Sequence, residues 1–149
     1  MSAGKEQGFT LVGALILTGL MGLGMLGYGE MASHAAQREK EAELLFRGNQ
    51  YRLAIESYYR KEQRYPRTLA DLVADRRSAD PAHHLRKLYA DPITGEATWG
   101  VLKAPDGGIM GVHSKSEAPP LKSGNFALAD KTFADAKRYA DWQFFYNPK

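Results

Sequence analysis

The feature that most constrains this chain is an uncharged, largely apolar run from Phe9 to Gly29, close to the N-terminus. A helix needs about 20 apolar residues to cross a bilayer, and the run reaches that length. Two other interpretations are a buried core helix and the hydrophobic region of a secretory signal, which is typically about 7–15 residues long. Small residues suited to a signal peptidase follow at Ala32–Ala36. The length of the run favours a membrane helix over a removable signal.

The composition excludes several classes of function. The 149 residues include 20 basic and 17 acidic side chains, for a formal net charge of +3, and the two signs are interleaved along the chain. A nucleic-acid interface gathers Lys and Arg on one face, so no nucleic-acid partner is expected. Cysteine is absent, which excludes disulfides, thiolate catalysis and cysteine-ligated zinc.

The apolar run leads into an amphipathic segment, so we expect one long helix with a membrane half over 9–29 and an amphipathic half over 30–65. Apolar positions recur at spacings of three and four along the second half: Leu44, Gly48, Tyr51, Ile55 and Tyr58. Pro66 disfavours the helical conformation at Tyr65, where the helix should end. A single helix cannot bury its own apolar stripe, which predicts that residues 66–149 form a head domain packed on it.

The sequence of the head predicts three short strands. Residues 98–103 and 109–113 are apolar-rich and flank a turn over 104–108, which indicates a hairpin. Residues 141–146 alternate in the manner of a third strand, with one face formed by Trp142, Phe144 and Tyr146. The predicted fold is therefore α+β, a long N-terminal helix packed on a small three-stranded antiparallel sheet.

Two short helices and a loop complete the prediction. Thr68 can cap a helix with Asp71 as its capping-box partner, and this helix should run to about Asp75. Residues 116–129 contain two consecutive prolines and indicate a loop, whereas residues 130–140 are compatible with a second short helix.

The N-terminal residues 1–8, which end in Gly8 and are followed by Phe9, Thr10 and Leu11, resemble the prepilin-type signal of type IV pilins and type II secretion pseudopilins. In that family a membrane aspartyl peptidase cuts after the glycine, and the new N-terminal Phe is methylated. The resemblance implies a leader over 1–8, a cut between Gly8 and Phe9, and a pilin-like fold whose apolar helix stays on the mature chain.

Glycines along the apolar run suit an assembly role, because small residues allow close contact between membrane helices. The positions concerned are Gly13, Gly19 and Gly22. Simple tolerance of glycine in membrane helices is the alternative. The family usually has Glu at the fifth position after the cut, where it pairs with a neighbouring subunit's amine. Gly13 occupies that position here, which leaves open a tip or minor subunit, or a branch that assembles without the pairing.

Further along the chain the resemblance is to G-type major pseudopilins. It rests on Tyr65-Pro66 followed by Leu69 and Leu72, on the Asp91–Gly95 turn, and on the segment Glu43–Tyr51. Those proteins hold calcium in a C-terminal loop that corresponds to residues 113–123. That loop contains one acid and two lysines here. Since calcium takes about six to eight oxygen ligands, no metal or cofactor is expected.

The sequence offers no catalytic constellation. It contains no nucleophile elbow, phosphate loop or His-Glu-x-x-His motif. His83 and His84 are adjacent, so their side chains diverge, and we expect an exposed polar pair rather than a metal site. Asp106-Gly107-Gly108 is interpreted as a hairpin turn. The chain is therefore not expected to be an enzyme.

The resemblance implies a structural pseudopilin subunit that is anchored in the bacterial inner membrane by a single span, with its head in the periplasm. The implied partners are other pseudopilin subunits, a prepilin peptidase, the inner-membrane assembly platform and membrane lipid. The alternatives are a minor type IV pilin and, from another class, a non-polymerising membrane-anchored periplasmic binding protein.

Overall fold

The computed structural model describes residues 4–77, 79 and 81–148, with side chains described at 11–19 and from Ala32 onward within those ranges. The chain divides into two compact units, residues 1–37 and 38–149. Helix α1 (Gly4–Glu62) begins in the first unit and ends in the second. The predicted α+β class, with a long helix and a three-stranded antiparallel sheet, is confirmed.

Helix α1 ends at Glu62, three residues before the predicted end at Tyr65. Gln63 takes the left-handed conformation with φ 58°, and its N–H donates to the Tyr59 carbonyl at 2.7 Å, which closes the last turn. After this turn the Tyr65 ring packs on the Tyr59 ring with centroids 4.6 Å apart. The prediction was wrong because a glutamine carries no sequence signal for the conformation that glycine usually supplies.

The predicted stripe of α1 forms the core of the second unit. Leu44, Tyr51, Ile55 and Tyr58 are 6% exposed or less. Gly48 is buried in the same row, where the Phe144 ring lies so close to the helix that a Cβ would overlap it. The glycine therefore allows a close approach between α1 and the sheet, and the prediction of core packing is confirmed for Tyr51 and Tyr58.

The sheet has strand order β1-β2-β3, with β1 at Gly100–Lys103, β2 at Ile109–His113 and β3 at Phe144–Phe145. Both pairings are antiparallel, and a bulge falls between Leu102 and Lys103. In the hairpin turn Gly107 has φ 83°, as the predicted turn requires. Strand β2 matches the prediction, whereas β1 and β3 are shorter than predicted.

The short helices differ from the prediction. Helix α2 (Ala70–Val73) is a single turn whose cap position is Leu69, so the predicted Thr68 cap is wrong. The Asp71 carboxylate still reaches back to accept the Thr68 N–H at 2.9 Å. The predicted helix over 130–140 is also wrong: two 3₁₀ segments form instead, at Leu128–Asp135 and Tyr139–Asp141.

An aromatic cluster fixes these 3₁₀ segments against the sheet. Trp142 is fully buried and stacks on Phe133 at 5.5 Å with an interplanar angle of 5°. The rings of Phe126 and Tyr139 meet Trp142 edge to face, at 5.4 and 5.5 Å. Burying each large side chain stabilises the fold by about 1.5–3 kcal/mol, enough to hold a segment that has little intrinsic helical stability.

Candidate functional site

The predicted processing and assembly residues all lie in α1. Gly8, Phe9 and Gly22 belong to the helix, but their side-chain surroundings lie outside the described part of the chain. Open space surrounds Gly13 and Gly19, because none of the described residues would come within 4 Å of a Cβ at either position. At these two glycines another helix can approach α1 closely.

Around Gly13, helix α1 exposes large apolar side chains. Those with exposed fractions between 55% and 67% are Leu11, Val12, Leu15, Ile16 and Leu17. Since successive helical residues are about 100° apart, these positions cover about two thirds of the circumference. The one polar side chain in residues 11–19, Thr18, donates to the Ala14 carbonyl at 2.9 Å. A helix that is apolar around most of its surface is normally covered by lipid or by other helices.

Over the residues whose side chains are described, no helix is both long enough and apolar enough to cross a membrane. The predicted span covers 9–29, and its residues 9–10 and 20–29 lie outside that part of the chain. The span therefore stays a prediction.

In the second unit, a buried carboxylate ties a long loop to α1. Glu41 is 2% exposed and accepts three hydrogen bonds through Oε1, from the Leu121 N–H at 2.5 Å, the Lys122 N–H at 3.3 Å and the Tyr139 hydroxyl at 2.9 Å. Leu121 and Lys122 belong to the loop predicted over residues 116–129. The Glu41 carboxylate of α1 thus fixes this loop through hydrogen bonds.

A second buried carboxylate, Asp75, follows α2. The Arg77 guanidinium holds it bidentately, with Nε–Oδ1 and Nη2–Oδ2 both at 2.8 Å, and lies over the Tyr58 ring at 3.5 Å from its centroid. His84 Nε2 lies 3.1 Å from Asp75 Oδ2. The hydrogen bonds from Arg77 hold the pKa of Asp75 well below its usual range, against the opposing effect of burial. Asp75 is therefore ionised at neutral pH.

Two further buried acids also have partners. The Asp91 carboxylate accepts the Ser114 hydroxyl at 2.6 Å and the Ile93 N–H at 2.9 Å, which fixes the Asp-Pro turn. Asp130 pairs with Arg52 of α1 at 2.5 Å. Asp91 joins its turn to the residue that follows β2, and Asp130 joins the first 3₁₀ segment to α1, so their chemistry is that of structural hydrogen bonds.

The histidine prediction holds only in part. His83 is exposed and its Nδ1 contacts the Val73 carbonyl, whereas the His84 side chain is 8% exposed and lies between Asp75 and Ser57. The two side chains diverge as expected, but His84 is not an exposed polar residue. In the part of the chain that the structure describes, no three His, Asp or Glu side chains are grouped to hold a metal ion.

Sequence reasoning missed Glu41, although a signal was present. Glu41 precedes Leu44 by three residues and so continues the apolar stripe that includes Gly48 and Tyr51. A carboxylate within a buried stripe implies that other groups donate to it. The Asp75–Arg77 pair had no comparable signal, because Asp75 lies outside any periodic stripe and is buried only where the chain turns back at Ala82 to bridge it.

Comparison with protein-family models, curated proteins and solved structures gives no match for this chain. Its function must therefore be argued from the exposed apolar segment and from the folded unit.

Proposed function

We propose that this chain is a structural pseudopilin subunit of a type II secretion system or a related type IV pilus-like machine. The observation that carries the proposal is the continuity of three parts: a polar leader ending at Gly8, an apolar segment from Phe9, and a helix that runs on to Glu62 in an α+β unit. In this proposal the fold is pilin-like, residues 9–29 anchor the chain in the inner membrane, and the head lies in the periplasm.

The exposed apolar side chains of 11–19 support an assembly role. Apolar surface in contact with water costs about 25 cal/mol per Å², so a helix that exposes Leu11, Leu15 and Leu17 is stabilised by any apolar cover. Lipid supplies that cover before assembly, and the same segments of other subunits supply it in a filament. The partners proposed are therefore lipid, other pseudopilin subunits, the prepilin peptidase and the assembly platform.

Gly13 favours a second candidate, a minor type IV pilin. A subunit at the tip of a filament has no neighbour above it whose amine must be neutralised, and it has no need of the usual Glu. The space around Gly13 would accommodate a longer side chain. Packing among the described residues therefore does not require glycine rather than glutamate at this position. Neither candidate requires catalysis, and we propose no enzymatic role.

Substitution at the cleavage site tests the proposal. We expect Gly8→Leu, produced together with a prepilin peptidase, to keep its leader, because the peptidase requires a small residue before the cut. Gly4→Leu is the matched control, since it adds the same side chain within the leader but away from the cut. Intact-mass analysis of both variants distinguishes them. Normal leader removal from Gly8→Leu would overturn the proposal.

A further inference from the structure

An open cleft lies between the end of α1, the segment 67–77 and the β1–β2 turn, with a volume of about 790 Å³. Tyr65 supplies apolar surface, and Gly108 of the turn contributes to the wall. The Tyr58 ring lies beneath the Arg77 guanidinium. The proposed function makes no use of this cleft.

The carboxylates that line the cleft are already engaged. Asp75 is held by Arg77, Asp71 accepts the N–H groups of Arg67 and Thr68 at 3.1 and 2.9 Å, and Asp106 accepts the Gly108 N–H at 2.9 Å. The fourth, Glu62, lies 3.5 Å from Arg77 Nη1. These acids are thus directed toward donors of their own chain rather than toward a ligand.

Three of the four arginines that line the cleft, unlike these acids, have no hydrogen-bonding partner for the side chain among the described residues. Arg64, Arg67 and Arg76 are exposed, and their guanidinium groups have no ion pair or hydrogen bond within the described residues. A guanidinium presents a planar fork of donors that matches a carboxylate bidentately. The cleft therefore presents three guanidinium groups that can pair with a carboxylate, next to carboxylates that already accept hydrogen bonds within the chain.

We propose that this cleft binds a glutamate- or aspartate-bearing peptide segment of a partner protein. Four arginines and four carboxylates line it, so its formal charge is balanced and it creates no long-range positive field. A polyphosphate or a nucleic acid depends on such a field. Carboxylates on a peptide need only short-range pairing with Arg64, Arg67 and Arg76, and Tyr65 can pack against the rest of the segment.

Binding of a labelled synthetic peptide with three glutamates to the full chain in non-ionic detergent micelles tests this proposal. The same peptide with glutamines measures uncharged binding, and tripolyphosphate serves as the competing polyanion. We expect Arg64→Ala/Arg67→Ala to weaken glutamate-peptide binding about tenfold, the loss expected for two partly exposed charge pairs. Arg86→Ala removes an exposed arginine outside the cleft and should leave binding unchanged.

Support requires that the glutamate peptide binds, that the glutamine peptide does not, and that the double variant has the reduced affinity. Unchanged affinity in the double variant, or no binding by the wild type, would overturn the proposal. Stronger binding of tripolyphosphate than of the peptide would also overturn it, in favour of a phosphate site. Tryptophan-monitored unfolding checks that the double variant is folded, which is expected because both arginines are exposed.

Discussion

At the scale of single residues, the second unit depends on positions where size or charge leaves little freedom. Gly48 allows the Phe144 ring to approach α1, and Asp75 holds Arg77 beneath the cleft. The first could be partly foreseen, because a glycine in an apolar stripe indicates close packing. The second could not, since Asp75 and Arg77 are only two residues apart and nothing in the sequence around them shows that Asp75 is buried.

Gly48→Ala should destabilise the second unit despite a gain in helix propensity. Alanine is favoured over glycine in a helix by about 1 kcal/mol, but overpacking a core costs about 1–3 kcal/mol. The clash involves a ring held in the sheet, so we expect a net loss of stability. Denaturant unfolding followed by tryptophan fluorescence measures it. Gly124→Ala, where the space is open, is the control, and equal or greater stability for Gly48→Ala would show that Phe144 moves freely.

Asp75→Asn should cost about 3 kcal/mol at neutral pH, because it removes the charge that Arg77 pairs with bidentately and leaves Glu62, at 3.5 Å, as the only carboxylate partner of the guanidinium among the described residues. This is the low end of the range for breaking a buried pair, since the Arg77 side chain is 19% exposed. The pKa of Asp75 is lowered on folding, so the stabilisation is complete above the unfolded pKa of about 3.9 and is lost as the pH falls toward the native value.

Unfolding measured from neutral to acidic pH checks the direction of this pH dependence. The stability difference between wild type and Asp75→Asn should be constant near neutrality and shrink below about pH 4. Asp106→Asn alters an exposed acid of the turn. The free energy of unfolding of this variant should follow the pH dependence of the wild type with a small constant difference. A difference that grows as the pH falls would contradict the assignment.

At the scale of elements, the prediction was best where the hydrophobic pattern alone decides the structure. The stripe of α1 and strand β2 follow directly from spacing, because both elements bury one regular face. Strand β3 and the segment that begins at Leu128 were harder to predict from the sequence. Their form depends on Trp142 packing against Phe133 and on Asp130 reaching Arg52, which is 78 residues away in sequence.

The loop before the first 3₁₀ segment should depend on Glu41. In Glu41→Ala the amides of Leu121 and Lys122 lose a charged acceptor worth about 1.5–3 kcal/mol, so their hydrogen exchange should accelerate. Glu41→Gln keeps an acceptor oxygen without the charge and should give an intermediate rate. Exchange monitored by NMR on the full chain in micelles measures this. Equal exchange at Leu121 in wild type and Glu41→Ala would show that another contact holds the loop.

At the scale of the whole molecule, the charge pattern of the sequence changes after Glu30, whereas the boundary between the two compact units falls between residues 37 and 38. The sequence predicted that α1 continues into the second unit. The function of the first unit remains a proposal, in which lipid or other subunits cover the exposed apolar side chains of residues 11–19.

The most direct test of this account is the N-terminal residue of the wild-type chain recovered from bacterial membranes that contain a prepilin peptidase. Intact mass with N-terminal sequencing should give Phe9, N-methylated, with the apolar run retained. A mature chain that begins within or just after Ala32–Ala36 would show that the run is an ordinary secretory signal. A chain that keeps residues 1–8 would show that no prepilin processing occurs. Either result would contradict the account.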